Sequence, residues 1–355
     1  MINNFYKNKK VLVTGATGFK GAWLCYWLVM LGAKVYGIGY NPNKNKNLFY
    51  SLKLNKKIKL KLFDIRNKKK LESFVKTSKP IIVFHLAAQP LILESYKKPY
   101  LTYTVNSLGT LNILETVKNN NTIKSLVCIT SDKCYESNNS TKGFKETDKL
   151  GGEDPYSGSK ASAEIMIGTY QKSFFNEKKC GIASARAGNV IGGGDWSANR
   201  LIPDSINSIM ENKTIYIRNP NFNRPWQHVI EPLYGYLILA KKIYKEPKRY
   251  SGPWNFGPDQ NSINTVQDTV ELAVQIWGNS ASWELTSDNH LHEASLLQLN
   301  SEKAKSILGW KPRWDFGKAV SETIQWYKNY YCSKQKMLDV TLDQISEYED
   351  QTVNV

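Results

Sequence analysis

Thr14-Gly15-Ala16-Thr17-Gly18-Phe19-Lys20-Gly21 is the stretch on which the reading of this chain turns. A short apolar run, Lys10-Val11-Leu12-Val13-Thr14, precedes it. A helical apolar pattern from Ala22 to Leu31, closed by Gly32, follows it. Gly15 permits a tight turn, Gly18 lets backbone approach an anion, and Gly21 lets the helix pack close on the strand. The helix N-terminus then offers N–H groups and a favourable dipole to phosphate oxygens. Glycines alone make an ordinary turn. The strand before and the helix after make this one a cradle for a dinucleotide, with Gly15, Thr17, Gly18, Phe19, Lys20 and Gly21 around the pyrophosphate.

Working outward, further apolar runs follow at helix-sized intervals. They are Lys34-Val35-Tyr36-Gly37-Ile38, Lys59-Leu60-Lys61-Leu62-Phe63, Ile81 to Leu86, Ser125 to Thr130 and Ile182 to Arg186. Runs without alternation, separated by helices, predict a parallel sheet covered on both faces. The expected fold class is α/β: a Rossmann-type doubly wound parallel sheet with a smaller mixed α/β C-terminal substrate lobe. Residues 1–188 form the cofactor domain, to which about 224–260 return. Residues 189–332 form mainly the second lobe, and 333–355 a polar tail. Met337, Leu338, Val340, Leu342 and Ile345 in that tail suit an amphipathic helix used in packing or assembly.

The chain has 355 residues, ordinary apolar (41%) and charged (22%) fractions, and hence enough material for a real core. No apolar run is long enough to cross a bilayer, and the N-terminus lacks the apolar centre of a signal peptide, so a cytoplasmic location is expected. Five scattered cysteines, never spaced C-x-x-C, argue against disulfides or a zinc site, and no metal is expected. The net charge of +17 sits in Lys/Asn-rich loops such as 41–46, without any nucleic-acid motif; no nucleic-acid or membrane partner is expected.

Two segments carry chemistry. Asp154-Pro155-Tyr156-Ser157-Gly158-Ser159-Lys160 puts Tyr156 and Lys160 four apart, on one helix face. The ammonium is expected to lower the tyrosine pKa towards neutrality, so that the phenol takes a hydroxyl proton while hydride leaves the same carbon. Thr130-Ser131-Asp132-Lys133 ends the fifth strand, where doubly wound sheets place ligands. Ser131 is a candidate to hydrogen-bond the reacting hydroxyl. Asp132 and Lys133 add two ionisable groups beyond what a simple dehydrogenase needs. Downstream, Asn189 can donate to a phosphate oxygen, Arg218 and Arg224 can clamp a diphosphate, and Trp and Phe side chains offer stacking faces.

These features resemble the extended short-chain dehydrogenases. The glycine spacing is theirs, as is Leu86-Ala87-Ala88-Gln89 after the fourth strand, where backbone lies against the cofactor. By that resemblance Asp64 and Ile65 contact adenine, Asn106 is the structural asparagine, and Leu86, Ala87, Ala88, Tyr156 and Lys160 help hold NAD. NAD is implied by the resemblance alone. An acid expected at the end of the second strand is replaced by Gly39-Tyr40-Asn41.

Within that group the chain is similar to nucleotide-sugar 4,6-dehydratases. There, two ionisable residues after the Ser/Thr perform an elimination, one protonating the departing C6 hydroxyl and one removing the C5 proton. Asp132-Lys133, Gly18-Phe19-Lys20-Gly21, Ala87-Ala88-Gln89-Pro90-Leu91, Thr130 to Tyr135 and Gly192-Gly193-Gly194-Asp195-Trp196 are similar to CDP-glucose 4,6-dehydratases, from about Tyr6 to Tyr331. The resemblance implies a substrate of CDP-glucose and catalysis by Ser131, Asp132, Lys133, Tyr156 and Lys160. It implies substrate contacts from Gln89, Ser131, Asn189, Arg200, Arg218 and Arg224. It also implies a homodimer or higher oligomer and a role in lipopolysaccharide or another surface glycan. Which of Asp132 and Lys133 is the base stays open. So do a 4-epimerase, a dehydratase of dTDP-, GDP- or UDP-sugars, and a non-catalytic sensor of the same fold.

Overall fold

The computed structural model describes residues 2, 4–43, 45–137, 143–175, 180–259, 262–278, 281–286 and 297–351. The segment Asn289 to Ala294 lies outside them.

Seven strands form one sheet: β1 (Lys10–Thr14), β2 (Lys34–Gly39), β3 (Lys59–Leu62), β4 (Ile82–His85), β5 (Ser125–Ile129), β6 (Gly181–Arg186) and β7 (Gly252–Asn255). Their order is β7-β6-β5-β4-β1-β2-β3, with every neighbouring pair parallel. The period of two sorts side chains to the two faces. Val11, Val13, Ile82 and Phe84 enter one apolar layer; Leu12, Val83, Leu126 and Cys128 enter the other. This double burial is why the strands read as unbroken apolar runs. The exception is β3, an edge strand, where Lys59 and Lys61 discourage pairing with another chain. Chain order reverses between β1 and β4, so the crevice at their C-terminal ends is the topological switch point where such sheets bind ligands.

The longer helices are α1 (Phe19–Met30), α2 (Lys68–Ser78), α3 (Gly109–Lys118), α4 (Pro155–Tyr170), α5 (Leu201–Met210), α6 (Ile230–Lys245), α7 (Val266–Trp277), α8 (Phe316–Cys332) and α9 (Met337–Asp350). One layer takes Leu71 and Val75 of α2, Ile113 and Leu114 of α3 and Ile167 of α4. The other is aromatic: Trp23, Trp27, Tyr236, Trp326, Tyr327 and Tyr348, all fully buried. The triple glycine belongs to that layer. A Cβ on Gly193 would lie 2.0 Å from the Trp326 indole, and Trp23 Nε1 donates to the Gly193 carbonyl at 2.9 Å. Gly193 is there to let an indole lie flat on the backbone.

The tail helix α9 packs on the body of the protein. Tyr26 Oη donates to Leu338 O (3.0 Å), Trp27 Nε1 to Glu349 Oε1 (2.7 Å), and Trp326 Nε1 to Thr341 Oγ1 (3.0 Å). At its end, Tyr348 Oη donates to the fully buried Glu231 carboxylate at 2.6 Å, which also accepts from the Arg313 and Trp314 N–H groups. Burial dominates over these donors and pushes the Glu231 carboxyl up from 4.5 to about 7. A raised folded-state pKa means that Glu231 contributes stability below its unfolded value, and loses it as pH rises through about 7. Glu231→Gln, which keeps shape and hydrogen bonds, is therefore expected to flatten the decline in urea midpoint between pH 5 and pH 7. Parallel curves for the two proteins would contradict the assignment.

Candidate active site

The glycine turn is held by contacts that exclude a side chain. Gly15 has φ +71°, and a Cβ on it would lie 2.8 Å from Ala87 N, at the end of β4. A Cβ on Gly21 would lie 2.0 Å from the Gly15 carbonyl oxygen. Gly18 caps α1 in extended geometry with no side-chain acceptor, so the first-turn N–H groups face outward without a side-chain partner. Such an end accepts a pyrophosphate. The residues present therefore fit a dinucleotide.

The adenosine side differs in detail. Gly39 ends β2 because Thr17 packs on it; a Cβ there would lie 2.6 Å from Thr17 Cγ2. No carboxylate follows, and Tyr40 points largely into solvent. Asp64 is paired with Arg66 at 2.6 Å, and that guanidinium holds its carboxyl below the usual range. Ile65 is buried beneath Gly109.

A chain of polar groups joins this turn to the rest of the site. Ala87 N–H donates to Thr14 Oγ1 (3.1 Å), Thr14 Oγ1 meets His85 Nδ1 (2.7 Å), and His85 Nε2 meets Thr110 Oγ1 (3.2 Å). Thr110 donates on to Asn106 O (2.6 Å). With both hydroxyl donors so committed, His85 is the Nε2–H tautomer, and burial keeps it neutral, with its pKa near 3. The Asn106 side chain then accepts from Gln89 N (2.8 Å) and donates to Gln89 O (3.0 Å) and Ser159 Oγ (2.9 Å) on α4. Asn106 thereby ties the Leu86–Gln89 backbone to the helix of Tyr156.

Asp154 starts α4, accepting from Tyr156 N (2.9 Å), Ser157 N (3.0 Å) and Ser157 Oγ (2.5 Å). Tyr156 and Lys160 are both buried on its inner face. Lys160 Nζ donates to Ile129 O at 3.3 Å. One turn on, Glu164 accepts from Thr130 Oγ1 (2.5 Å), Ser184 Oγ (2.8 Å) and Arg186 Nη2 (2.6 Å). This buried pair clamps α4 to β5 and β6.

Burial lowers Lys160 to about 8, against the opposing charge of Glu164. The expected lowering of the Tyr156 pKa is not found. Burial pushes the phenol up to about 12, and the hydrogen bond with Ser131 offsets only part of this. The physical reason is that desolvation of a phenolate outweighs one nearby hydroxyl, while the Lys160 ammonium is turned to a backbone carbonyl.

After β5, Ser131 caps a single 3-10 turn over Asp132–Cys134, its hydroxyl accepting from Lys133 N. Ser131 Oγ donates to Asp132 Oδ1 (2.9 Å), which also accepts from Lys133 N (3.0 Å). The other carboxylate oxygen lies against Gly188, where a Cβ would be 1.8 Å away. Asp132 is thus buried, and Gly188 is what makes room for it.

Ser131, Asp132, Lys133 and Tyr156 line one cleft of about 740 Å³ with Lys20, Asn189, Arg200, Arg218 and Arg224. That is the size range of small-ligand sites. Arg200 is held by Asp195 at 2.8 Å, and Arg224 lies over the Phe222 ring at 5.3 Å. Gln227 Nε2 pins the Gly188 carbonyl (3.1 Å) beside Asn189, which has φ +49°. Gln89 is not brought to the cleft. Its amide is spent on Leu91 O (3.0 Å), Leu91 N (2.6 Å) and Thr102 Oγ1 (2.9 Å). Sequence reasoning missed Asp154, Gly188, Asp195, Phe222 and Gln227. Of these, Asp154 was legible as an N-cap before proline. Among the described residues no group of His, Cys, Asp or Glu could hold a metal ion.

Residues 12–323 match the family model described as GDP-mannose 4,6 dehydratase. The chain is 44% identical over 348 residues to a CDP-glucose 4,6-dehydratase of Salmonella typhimurium, covering 95% of this chain and 97% of that one. Among solved structures it is similar to a dTDP-glucose 4,6-dehydratase from Bacillus anthracis in complex with NAD. The TM-score is 0.74 at 24% identity, over 91% and 97% of the two chains. It is similar also to a UDP-glucuronic acid 4-epimerase from Bacillus cereus, with TM-score 0.77 at 22% identity, over 91% and 100%. These likenesses show a shared fold. With the family model and the 44% relative both spanning most of its length, the chain belongs to the nucleotide-sugar 4,6-dehydratase family of that model.

Proposed function

We propose that the protein dehydrates CDP-glucose to CDP-4-keto-6-deoxyglucose, a hydro-lyase reaction with NAD as cofactor. The observation that carries the reading is the Ser131-Asp132-Lys133 turn, with Ser131 and Asp132 buried and Lys133 half-buried, lining one cleft with Tyr156. A 4-epimerase needs the Ser, Tyr and Lys. Only an elimination needs two further ionisable groups at the sugar. The relative at 44% identity supports cytosine as the base.

NAD, held by the Gly15–Gly21 turn and the Leu86–Ala88 backbone, would supply a reversible hydride acceptor at the sugar. The chain does the rest. Tyr156, hydrogen-bonded with Ser131, takes the O4 proton in its phenolate form, which the Lys160 cation behind it favours against the burial that raises the phenol. The resulting ketone acidifies C5–H. Asp132 and Lys133 then divide the elimination, one taking the C5 proton and the other giving a proton to the departing O6. Asn189 and Arg224 hold the diphosphate, and Arg200 and Arg218 the nucleotide. The cleft wall excludes water and fixes the sugar. Residues 1–188, with 224–260, form the cofactor part and 189–332 the substrate part.

An enzyme of this kind acts in the cytoplasm and feeds deoxysugar synthesis for a surface glycan such as lipopolysaccharide. Four of its five cysteines are buried and outside any disulfide, which suits a reducing compartment. It works as a homodimer through the outer face of α4 and the segments before α3. Tyr96, Tyr103, Leu108, Ile165 and Phe174 are exposed there, with Tyr100 at 81%. Tyr100→Glu is expected to shift sedimentation from dimer to monomer; an unchanged dimer would move the interface elsewhere.

Two experiments test the chemistry. Turnover in deuterium oxide is expected to place solvent deuterium at C5 of the product, because elimination and return pass through that carbon; its absence would favour the epimerase. Tyr156→Phe is expected to lower turnover about 10³-fold with unfolding unchanged, in the range for loss of a general base. Undiminished activity would remove Tyr156 from the role.

A further inference from the structure

Lys20 does not sit where its motif suggests. Of its neighbours in the glycine turn, Gly15 lies against Ala87, Thr17 packs on Gly39 and the Phe19 ring lies against Gly192. Lys20 alone of that segment opens into the cleft lined by Ser131, Asp132, Tyr156 and Gly188. Its stem is half-buried. The charged groups that act on its ammonium are Arg200, Asp132, Lys160 and Asp195. Asp195 is already neutralised by Arg200 at 2.8 Å. Asp132 already accepts from Ser131 Oγ and Lys133 N. Lys20 itself has no ion pair or hydrogen bond among the described residues. A cation brought into a cleft and left without a protein partner is available to whatever binds there.

The rest of the cleft says what that is. Arg218 and Arg224 line the same cleft with Phe222 and Asn189 and suffice for the diphosphate and nucleotide. Lys20 lies near both Arg200 and Asp132, and Asp132 is where the sugar reacts.

We propose that Lys20 acts on the reacting sugar rather than on the cofactor, its ammonium stabilising negative charge on the sugar oxygens during elimination across C5 and C6. This rests on the dehydratase reading. In that step the C5–H bond breaks and its electron pair forms the C5=C6 double bond. The C6–O bond breaks, and O6 leaves as water. The C5 proton goes to one of Asp132 and Lys133, and the other supplies the proton to O6. Lys20 forms and breaks no bond. Burial and the neighbouring cations bring its proton affinity down to about 8, so the ammonium is the main form at neutral pH and the amine takes over above it.

The test separates the half-reactions. Wild type, Lys20→Met and Lys20→Arg are loaded with NAD and mixed with CDP-glucose. Reduced cofactor is followed by its absorbance and water loss by mass. Met keeps the stem, and NAD affinity reports that the site is folded. The expected result for Lys20→Met is NAD affinity within threefold of wild type and rapid formation of reduced cofactor. That reduced cofactor then accumulates, because water loss is slowed about 100-fold, the scale for removing one oxyanion donor. Lys20→Arg, which retains the charge, recovers at least a tenth of the rate.

Three results would overturn the proposal. One is weakened NAD affinity with full turnover at saturating NAD, which would make Lys20 a cofactor residue. Another is equal water loss by wild type and Lys20→Met. A third is equal slowing of oxidation and water loss. If wild type itself releases no water from CDP-glucose, the dehydratase reading falls, and the role of Lys20 with it.

Discussion

The site depends on one close contact: the Gly15 turn lying against the Leu86–Ala87 backbone with no room for a Cβ. Everything that must meet at the switch point is referenced to that contact. The turn aims an uncapped helix end at the phosphates. The Thr14–His85–Thr110–Asn106 chain carries its position through the core to Ser159 on the helix of Tyr156. Each bond in that chain is worth only about 1 kcal/mol net, but leaving any member unpaired in the interior costs more. A fully satisfied network therefore holds two distant segments in one register without a covalent link.

Burial rather than charge sets the electrostatics of the site. It raises the Tyr156 phenol to about 12 and lowers Lys160 and Lys20 to about 8. The same desolvation makes a correctly placed cation or hydroxyl effective once substrate fills the cleft, because water no longer competes. Geometry does the corresponding work for the carboxylate. Asp132 can be buried at the sugar end only because residue 188 lacks a side chain, so the glycine serves the acid rather than the backbone.

The sheet was legible because its strands are buried on both faces and so read as apolar runs. The cradle was legible because close packing dictates its glycine spacing: a Cβ on Gly21 would fall 2.0 Å from the Gly15 carbonyl oxygen. Ser131, Asp132, Tyr156 and Lys160 were legible because each lies within five residues of a strand end or helix start. What escaped depends on long-range packing. Gln89 looks like a substrate contact until Leu91 and Thr102 are seen to consume its amide. Lys20 looks like a cofactor residue until its side chain is followed into the cleft. The triple glycine looks like a ligand loop, yet Gly193 is shaped by Trp326, more than 130 residues later. The tail gives only a weak amphipathic pattern because its buried side, Val340, Ile345 and Tyr348, is small and partly aromatic.

The measurement that bears most directly on the account is mass spectrometry of the protein with NAD and, in separate reactions, CDP-, dTDP-, GDP- and UDP-sugars. Loss of one water from CDP-glucose alone, with no net reduced cofactor, is the predicted result. A new epimer of unchanged mass, or water loss from a different nucleotide sugar in place of CDP-glucose, would contradict it.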